Sequence, residues 1–250
     1  MTRFAARGSR FVDIEPAFRG PWLDDLSEPW RIANREPRIA IPVKVLSADF
    51  VTSAAAGGRA DGIPADRLAQ IAFAGRSNVG KSTLLNALAR RKIARTSAAP
   101  GKTRLANIYR LRVDGGPGGP GTWGVYFVDL PGYGYARGGG DSATELAAVA
   151  KAYVESRVEG TTRATLLLID SRHPGLRSDE DAARWFDSFR VTRHVIATKI
   201  DKLSRSERVR NLKELERIFG CAPLPVSAAG GEGLDELWRL IARMARDQHP

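Results

Sequence analysis

The sequence has few of the residues on which disulfide-stabilised and zinc-stabilised folds depend. Its 250 residues include one cysteine, Cys221, and three histidines, so it offers neither a disulfide framework nor Cys/His spacing for zinc. No apolar run approaches the roughly 20 residues that a membrane-spanning helix needs. We therefore expect a cytoplasmic protein of a reducing compartment, with no transmembrane segment.

Acidic residues are absent between Arg90 and Arg112, in a chain whose net charge is +11. The basic residues of this segment, called here the basic stretch, are Arg90, Arg91, Lys92, Arg95, Lys102, Arg104, Arg110 and Arg112. A long run of one charge sign favours a polyanionic partner, which is either nucleic acid or an anionic lipid surface.

Secondary-structure signals divide the chain at about residue 45. Residues 1–45 are rich in proline and irregular, and we interpret them as a docking or disordered arm. Residues 46–250 alternate apolar strands with amphipathic helices, which predicts an α/β fold with a mostly parallel central sheet and helices on both faces. Predicted strands cover residues 43–51, 71–74, 107–113, 123–128, 164–169, 195–197 and 222–226. Ser178 and Ser204 are each predicted to begin a helix in a capping box.

The central motif is Gly75-Arg76-Ser77-Asn78-Val79-Gly80-Lys81-Ser82, which fits the phosphate-loop pattern G-x-x-x-x-G-K-[ST]. It lies between a short apolar run and a helix with leucines on one face, the order of elements that a phosphate site requires. The loop N–H groups and the helix N-terminus would surround the phosphates. Lys81 would neutralise the outer phosphates, and the Ser82 hydroxyl would ligate Mg²⁺.

Two more motifs follow predicted strands. In Asp129-Leu130-Pro131-Gly132, the carboxylate of Asp129 would hold Mg²⁺ through water and the Gly132 N–H would meet the γ-phosphate. In Thr198-Lys199-Ile200-Asp201, Asp201 would accept from the N1–H and amino group of guanine, a donor pair that adenine lacks. The Lys199 stem would pack over the purine. Ser227-Ala228 would offer a backbone N–H to the guanine O6. Ligands of α/β sheets bind at such strand ends.

Taken together, these strings resemble the EngB family (also called YihA or YsxC) of P-loop GTPases, in the translation-factor class. The resemblance covers roughly residues 45–245 and is carried by residues 72–82, 100–103, 129–136, 168–173 and 198–201. It implies a G domain that binds GTP, GDP and Mg²⁺. It also implies slow GTP hydrolysis and a role in maturation of the large ribosomal subunit and in normal septation during cell division.

The resemblance also implies the site residues. Thr103 would ligate Mg²⁺ and sense the γ-phosphate, and Lys81, Thr103 and Gly132 would form the catalytic set. Thr198 stands where many GTPases have Asn, which should weaken the guanine loop only modestly. The implied nucleotide contacts are Gly75, Arg76, Ser77, Asn78, Val79, Gly80, Lys81, Ser82, Thr83, Gly101, Lys102, Thr103, Asp129, Leu130, Pro131, Gly132, Thr198, Lys199, Asp201, Val226, Ser227 and Ala228.

Tyr133 follows Gly132 at the position where many GTPases have a water-orienting glutamine. Because an aromatic ring has no amide to orient the nucleophile, we predict a low intrinsic rate that a partner or a monovalent cation raises. Asn78 stands where related cation-dependent GTPases hold K⁺, so K⁺ is a candidate second cofactor. The alternative is that Asn78 is a simple loop-turn residue.

The basic stretch flanks residues 95–103, which we interpret as the first switch. We expect a monomer that presents these cations to ribosomal RNA of the large subunit according to its nucleotide state. Two alternatives stay open. One is a GTP-gated RNA or membrane-surface adaptor with negligible hydrolysis. The other is a P-loop kinase or ATPase, which Asp201 disfavours.

Overall fold

A seven-stranded sheet organises the part of the chain that the computed structural model describes, residues 41–54, 64–94, 105–116, 119–133, 141–155, 161, 163–189 and 191–246. Its strands are β1 (Ile41–Ala54), β2 (Gln70–Gly75), β3 (Ala106–Gly116), β4 (Thr122–Asp129), β5 (Arg163–Asp170), β6 (Thr192–Thr198) and β7 (Leu224–Pro225). They lie in the order β1-β3-β4-β2-β5-β6-β7. From β4 to β7 all neighbours are parallel, and β3 runs antiparallel to both β1 and β4. The mostly parallel α/β sheet is confirmed.

Helices cover both faces of this sheet. They are α1 (Lys81–Ala89), α2 (Asp141–Glu155), α3 (Arg177–Ser188), α4 (Arg205–Phe219) and α5 (Leu234–Arg246). On one face, α1 contributes Leu84 and Leu88 and α5 contributes Trp238 to a single apolar core. On the other face, α2, α3 and α4 contribute buried side chains such as Phe186 and Leu215. Because both faces are covered, the strand β2 is buried along its whole length and reads as a near-continuous apolar run.

Some predicted element boundaries differ from the structure. The strand predicted over residues 43–51 is β1, which begins two residues earlier at Ile41, paired with Gly116 of β3, and continues to Ala54. Residues 41–45, the end of the predicted irregular extension, therefore lie in the sheet. Residues 1–40 lie outside the described residues. The capping box at Ser204 is confirmed, because the Ser204 hydroxyl accepts from the Glu207 N–H and the Glu207 carboxylate accepts from the Ser204 N–H.

The predicted cap at Ser178 is wrong. Helix α3 begins at Arg177, and its N-cap is Leu176, which makes no side-chain cap bond. The N–H groups of Asp179 and Glu180 donate instead to the Leu176 carbonyl, at 2.8 and 3.3 Å. Ser178 therefore lies inside the first turn. This shift places the Asp179 side chain next to the candidate site described below.

Candidate functional site

The three motifs meet at one edge of the sheet, where the parallel strands end. Register pairs place Phe73 of β2 beside Asp129 of β4, and Asp170 of β5 beside Thr198 of β6. The phosphate-loop pattern begins at Gly75, the last residue of β2. This is the edge at which parallel α/β sheets bind ligands.

The phosphate loop depends on glycine at two points. A Cβ on Gly75 would lie 2.8 Å from Val79 Cγ1 and 2.9 Å from the Leu168 carbonyl oxygen, so no larger residue fits. Gly80 caps α1 with a φ of 104°, a backbone conformation that favours glycine. Asn78 also has a left-handed backbone, with a φ of 65°, and asparagine tolerates this better than most residues. The loop-turn alternative for Asn78 therefore has a structural basis.

Lys81 and Asp129 form a buried ion pair. The Lys81 amine donates to Asp129 Oδ1, and the two side chains are only 9% and 4% exposed. Ser82 and Thr83 lie beside Lys81 in the first turn of α1, and Ser82 is half-buried. The predicted phosphate lysine and the predicted magnesium carboxylate are thus in direct contact.

The segment after β4 runs along the phosphate loop. The Ser77 N–H donates to the Tyr133 carbonyl at 3.1 Å, and the Tyr133 N–H donates to the Gly75 carbonyl at 3.3 Å. A Cβ on Gly132 would lie 3.1 Å from the Ser77 nitrogen, so Gly132 packs closely on the loop. Leu130 and Pro131 are buried. Their burial anchors the segment between β4 and Gly132.

The Tyr133 side chain points to helix α3. Its hydroxyl donates to Asp179 Oδ1 at 3.0 Å, and Arg76 Nε lies 3.4 Å from the same oxygen. Burial, together with the nearby Asp179 carboxylate, raises the pKa of Tyr133 well above its usual value. Asp179 is not among the site residues predicted from the sequence. Its one local signal is its acidic character near a helix start, which does not indicate a contact with a residue 46 positions earlier.

The motif at residues 198–201 is hydrogen-bonded directly to the phosphate loop. The buried Thr198 hydroxyl donates to the Val79 carbonyl at 2.9 Å, and the Ile169 carbonyl lies 3.1 Å away as a second acceptor. Lys199 Nζ donates to the Asn78 carbonyl at 2.6 Å and to Asp170 Oδ2 at 3.0 Å. Threonine at position 198 therefore still connects this motif to the loop through its side chain.

Asp170 is the centre of a charged network at the end of β5. Arg172 donates to both carboxylate oxygens, at 2.9 and 2.8 Å, and Lys199 donates to Oδ2. Burial works against ionisation, but the hydrogen bonds from Arg172 and Lys199 outweigh it and lower the pKa of Asp170 to about 2.

Asp201 is held by Ser227. The Ser227 hydroxyl donates to Asp201 Oδ1 at 2.7 Å and accepts from the Gly230 N–H at 2.9 Å. The hydrogen bond from the Ser227 hydroxyl is the main cause of the lowered pKa of Asp201, whose side chain is 27% exposed. The second oxygen, Oδ2, lies 3.3 Å from the amine of the exposed Lys202. The carboxylate is therefore ionised and oriented, and a ligand would compete for Oδ2 only with an exposed lysine.

The two backbone N–H groups after β7 that could contact guanine differ in their hydrogen bonds. The Ser227 N–H donates to the Glu232 carbonyl at 2.9 Å, whereas the Ala228 N–H has no hydrogen-bond partner among the described residues. The predicted donor to guanine O6 thus narrows to Ala228. Val226 is fully buried, its N–H donates to Ala197 and its carbonyl accepts from Ile200, so we expect it to act by positioning its neighbours.

Two further residues support this motif and were missed from the sequence. The Ser171 hydroxyl donates to the Thr198 carbonyl at 2.6 Å, and Asn211 Nδ2 of α4 donates to the Ser171 carbonyl at 2.9 Å. Both side chains are buried. Asn211 lies on the buried face of its helix, where a polar residue needs a partner, and that pattern was the available signal.

The described part of the basic stretch is divided between the two sheet faces. Arg90, Arg91 and Lys92 are exposed and follow the C-terminal end of α1. Arg110 and Arg112 are exposed on β3, where they alternate with residues that pack in the core beneath α1, so they point to the opposite face. These described members therefore do not form one continuous surface. Gly101, Lys102, Thr103, Arg95 and Arg104 lie outside the described residues.

Two properties of the described residues bear on the predicted ligands. No group of three or more His, Cys, Asp or Glu side chains in this part of the chain could hold a metal by itself. A magnesium ion at Ser82 and Asp129 would therefore need phosphate oxygens as additional ligands, as nucleotide-bound Mg²⁺ has. Among the described residues, no helix is both long enough and apolar enough to span a membrane.

Comparison with known families and sequences identifies similar proteins. A family model described as "50S ribosome-binding GTPase" matches residues 70–201. The probable GTP-binding protein EngB of Anaeromyxobacter sp. (strain K) is 41% identical over 212 residues, which are 83% of this chain and 95% of that protein. The protein with the same description from Solibacter usitatus (strain Ellin6076) is 42% identical over 197 residues, 78% of this chain and 95% of the relative.

Solved structures agree on the fold. A crystal structure of a probable GTP-binding protein engB superposes with a TM-score of 0.54 at 22% identity, over 72% of this chain and 100% of the other, which supports the fold alone. Era in complex with MgGDPNP and nucleotides 1506-1542 of 16S ribosomal RNA superposes with a TM-score of 0.59 at 26% identity. That match covers 74% of this chain but only 59% of Era.

Proposed function

The chain belongs to the EngB family of GTP-binding proteins, within the P-loop GTPases, and from this we propose that it is a slow GTPase switch in assembly of the large ribosomal subunit. The observation that carries the proposal is the meeting of the phosphate loop, Asp129, Gly132 and Asp201 at one sheet edge. Membership of this family disfavours the kinase alternative. By its likeness to EngB, the protein would also be needed for normal septation.

Guanine selectivity would come from Asp201. Its ionised carboxylate accepts from the guanine N1–H and amino group, while Ser227 fixes one oxygen by a 2.7 Å hydrogen bond. The Ala228 N–H would donate to O6, since it has no partner among the described residues. Adenine presents neither the donor pair nor O6. The Lys199 stem would lie along the purine, because its amine is tied to Asn78 and Asp170.

The phosphates would be held by the loop N–H groups, by the N-terminus of α1 and by Lys81. Asp129 already contacts Lys81, so the carboxylate orients the amine at the mouth of the loop. Ser82 and Asp129, with Thr103, supply oxygen donors of the kind that Mg²⁺ prefers. Bound Mg²⁺ would neutralise charge on the β- and γ-phosphates.

Hydrolysis would be slow because the residue after Gly132 has no side-chain amide to orient water. Tyr133 offers a phenol instead, and its hydroxyl is engaged by Asp179 on α3. Gly132 would present its N–H to the γ-phosphate. Its close packing on Ser77 of the phosphate loop supports this role. An activating partner would then have to supply the missing orientation of water. Asn78 as a K⁺ ligand stays a proposal, beside its role in the loop turn.

Ribosomal RNA is the partner that the charge favours. The matching family model is named for binding to the 50S ribosome, and the similar Era structure contains a 16S ribosomal RNA segment. Arg90, Arg91 and Lys92 are exposed and take part in no ion pair within the described residues, whereas Arg110 lies 4.0 Å from Asp66. We therefore assign the RNA contact to Arg90, Arg91 and Lys92.

Co-sedimentation with purified ribosomal subunits tests this function. The protein should sediment with the large subunit in a GTP analogue and much less in GDP. Changing Arg90, Arg91 and Lys92 to Gln should weaken association about tenfold or more and reduce its salt dependence, because fewer counterions are released. The matched control changes Arg110 and Arg112 to Gln, and these cations should matter less.

Measurements of nucleotide binding and of turnover complete the test. The variant at residues 90–92 and the control variant at Arg110 and Arg112 should both bind GTP with the affinity of the wild type. Turnover measured with and without subunits, in KCl and in NaCl, separates a switch from an adaptor that does not hydrolyse GTP. Undiminished association of the Arg90, Arg91 and Lys92 variant at physiological salt would rule out the proposed contact, and association with equal strength in GDP would rule out the switch.

A further inference from the structure

Three elements meet at one buried carboxylate, Asp179 in the first turn of α3. Its side chain is 1% exposed, and its Oδ1 receives the Tyr133 hydroxyl at 3.0 Å with Arg76 Nε at 3.4 Å. Arg76 belongs to the phosphate loop, and Tyr133 follows Gly132. A single oxygen atom therefore joins the loop, the segment after β4 and helix α3.

The position of Asp179 is not explained by stability. Burial is the main cause of its raised pKa, which the hydrogen bond from Tyr133 and the charge of Arg76 only partly oppose. Its second oxygen, Oδ2, is buried with no hydrogen-bond partner among the described residues. A buried carboxylate with one unsatisfied oxygen is unfavourable, and such groups call for another explanation than stability.

Tyr133 transmits this contact to the phosphate loop through its backbone. Its carbonyl accepts from the Ser77 N–H at 3.1 Å, and its N–H donates to the Gly75 carbonyl at 3.3 Å. The preceding residue, Gly132, packs on Ser77 so closely that a Cβ would lie 3.1 Å from the Ser77 nitrogen. The peptide of Gly132 is thus fixed from two sides. It packs on the phosphate loop, and the next residue, Tyr133, is bonded through its hydroxyl to Asp179 of α3.

We propose that Asp179 is a positioning residue that, by holding Tyr133 on α3, keeps the Gly132 N–H in place for the γ-phosphate and so sets the preference of the protein for GTP over GDP. The inference rests on the proposed role of Gly132. It makes α3 part of the γ-phosphate response, although no residue of α3 belongs to a nucleotide-binding motif. GDP has no γ-phosphate for the Gly132 N–H to meet, so we expect its affinity to depend on the Tyr133 hydroxyl much less than that of GTP.

The main test is Tyr133→Phe, which removes only the hydroxyl. The Kd for a GTP analogue should rise about fivefold to tenfold, which is the ordinary net value of one hydrogen bond, while the Kd for GDP stays the same. The matched control is Tyr126→Phe, which removes another tyrosine hydroxyl that donates to a carboxylate, Asp66, at 2.8 Å. This control should change neither Kd.

Asp179→Ala separates positioning from folding, because it removes the oxygen that accepts from the Tyr133 hydroxyl. It should reduce the preference for the GTP analogue as Tyr133→Phe does, and the double variant should be no worse than the stronger single variant, because both changes break the same contact. Thermal denaturation should show that Asp179→Ala stays folded. If both nucleotides weaken equally, or neither weakens, Asp179 has no positioning role although the proposed function stands. If the wild type fails to bind GTP, the proposed function fails and this inference fails with it.

Discussion

The phosphate side and the guanine side of the candidate site use charge in different ways. On the phosphate side, Lys81 and Asp129 are buried and neutralise each other inside the protein. On the guanine side, Asp201 keeps a side chain that is 27% exposed, and one hydroxyl of Ser227 fixes its direction. We expect the first arrangement to make nucleotide binding and folding depend on the same groups. We expect the second to allow specificity to change without much effect on the fold.

The two sides are joined through the third motif. Thr198 donates to the Val79 carbonyl, and Lys199 donates to the Asn78 carbonyl and to Asp170. These bonds connect strands β5 and β6 to the loop after β2. Substitutions on each side and at the junction between them should therefore differ in how they divide their effects between stability and binding.

The largest effect is expected for Lys81→Ala. It would abolish nucleotide binding and would also leave Asp129 buried without a counter-charge, which should lower the free energy of unfolding by about 3 kcal/mol. Urea denaturation and GTP titration measure the two effects. The double variant Lys81→Ala and Asp129→Ala should recover part of the stability but no binding. As a control, Lys151→Ala removes an exposed ion pair with Glu155 and should change stability by less than about 1 kcal/mol.

A smaller and more selective effect is expected for Asp201→Asn. The asparagine lacks the charged acceptor for the guanine amino group, so GTP should bind about 100-fold more weakly. Xanthosine triphosphate should bind better than it does to the wild type, because the asparagine NH₂ can donate to the carbonyl that replaces the amino group of guanine. The free energy of unfolding should change by no more than about 0.5 kcal/mol, as for other surface substitutions. Asp181→Asn, at another exposed carboxylate, is the matched control. A large loss of stability would show that the two sides do not differ as stated.

The local parts of the site could be predicted from the sequence. Glycine is required at position 75 by close packing and at position 80 by a positive φ, and both requirements follow from the order of strand, loop and helix along the chain. The α/β fold followed from the alternation of buried strands and amphipathic helices, since burial on both faces of β2 produces a continuous apolar run.

The long-range contacts could not be predicted in the same way. Tyr133 meets Asp179 across 46 positions, and Lys199 reaches the Asn78 carbonyl across 121 positions, so neither contact leaves a periodic signal. The start of β1 at Ile41 is set by pairing with the far end of β3 rather than by local propensity. The predicted cap at Ser178 is wrong because the N-cap residue, Leu176, makes no side-chain bond, and capping patterns describe only helices whose N-cap side chain makes one.

The smallest of these effects, and a pH-dependent one, is expected at the junction, for Asp170→Asn. The pKa of Asp170 is lowered from 3.8 to about 2, so its ionised form stabilises the fold above about pH 4, and this contribution disappears as the pH falls from about 4 to about 2. Loss of the charge should reduce the free energy of unfolding by about 2 kcal/mol at neutral pH, and wild type and variant should converge in acid. Urea denaturation at a series of pH values measures this. Because Lys199 also bonds to Asn78, the variant should weaken GTP and GDP binding alike, by a few fold, and a change confined to one nucleotide would contradict the role of Asp170 as a shared support of both sides.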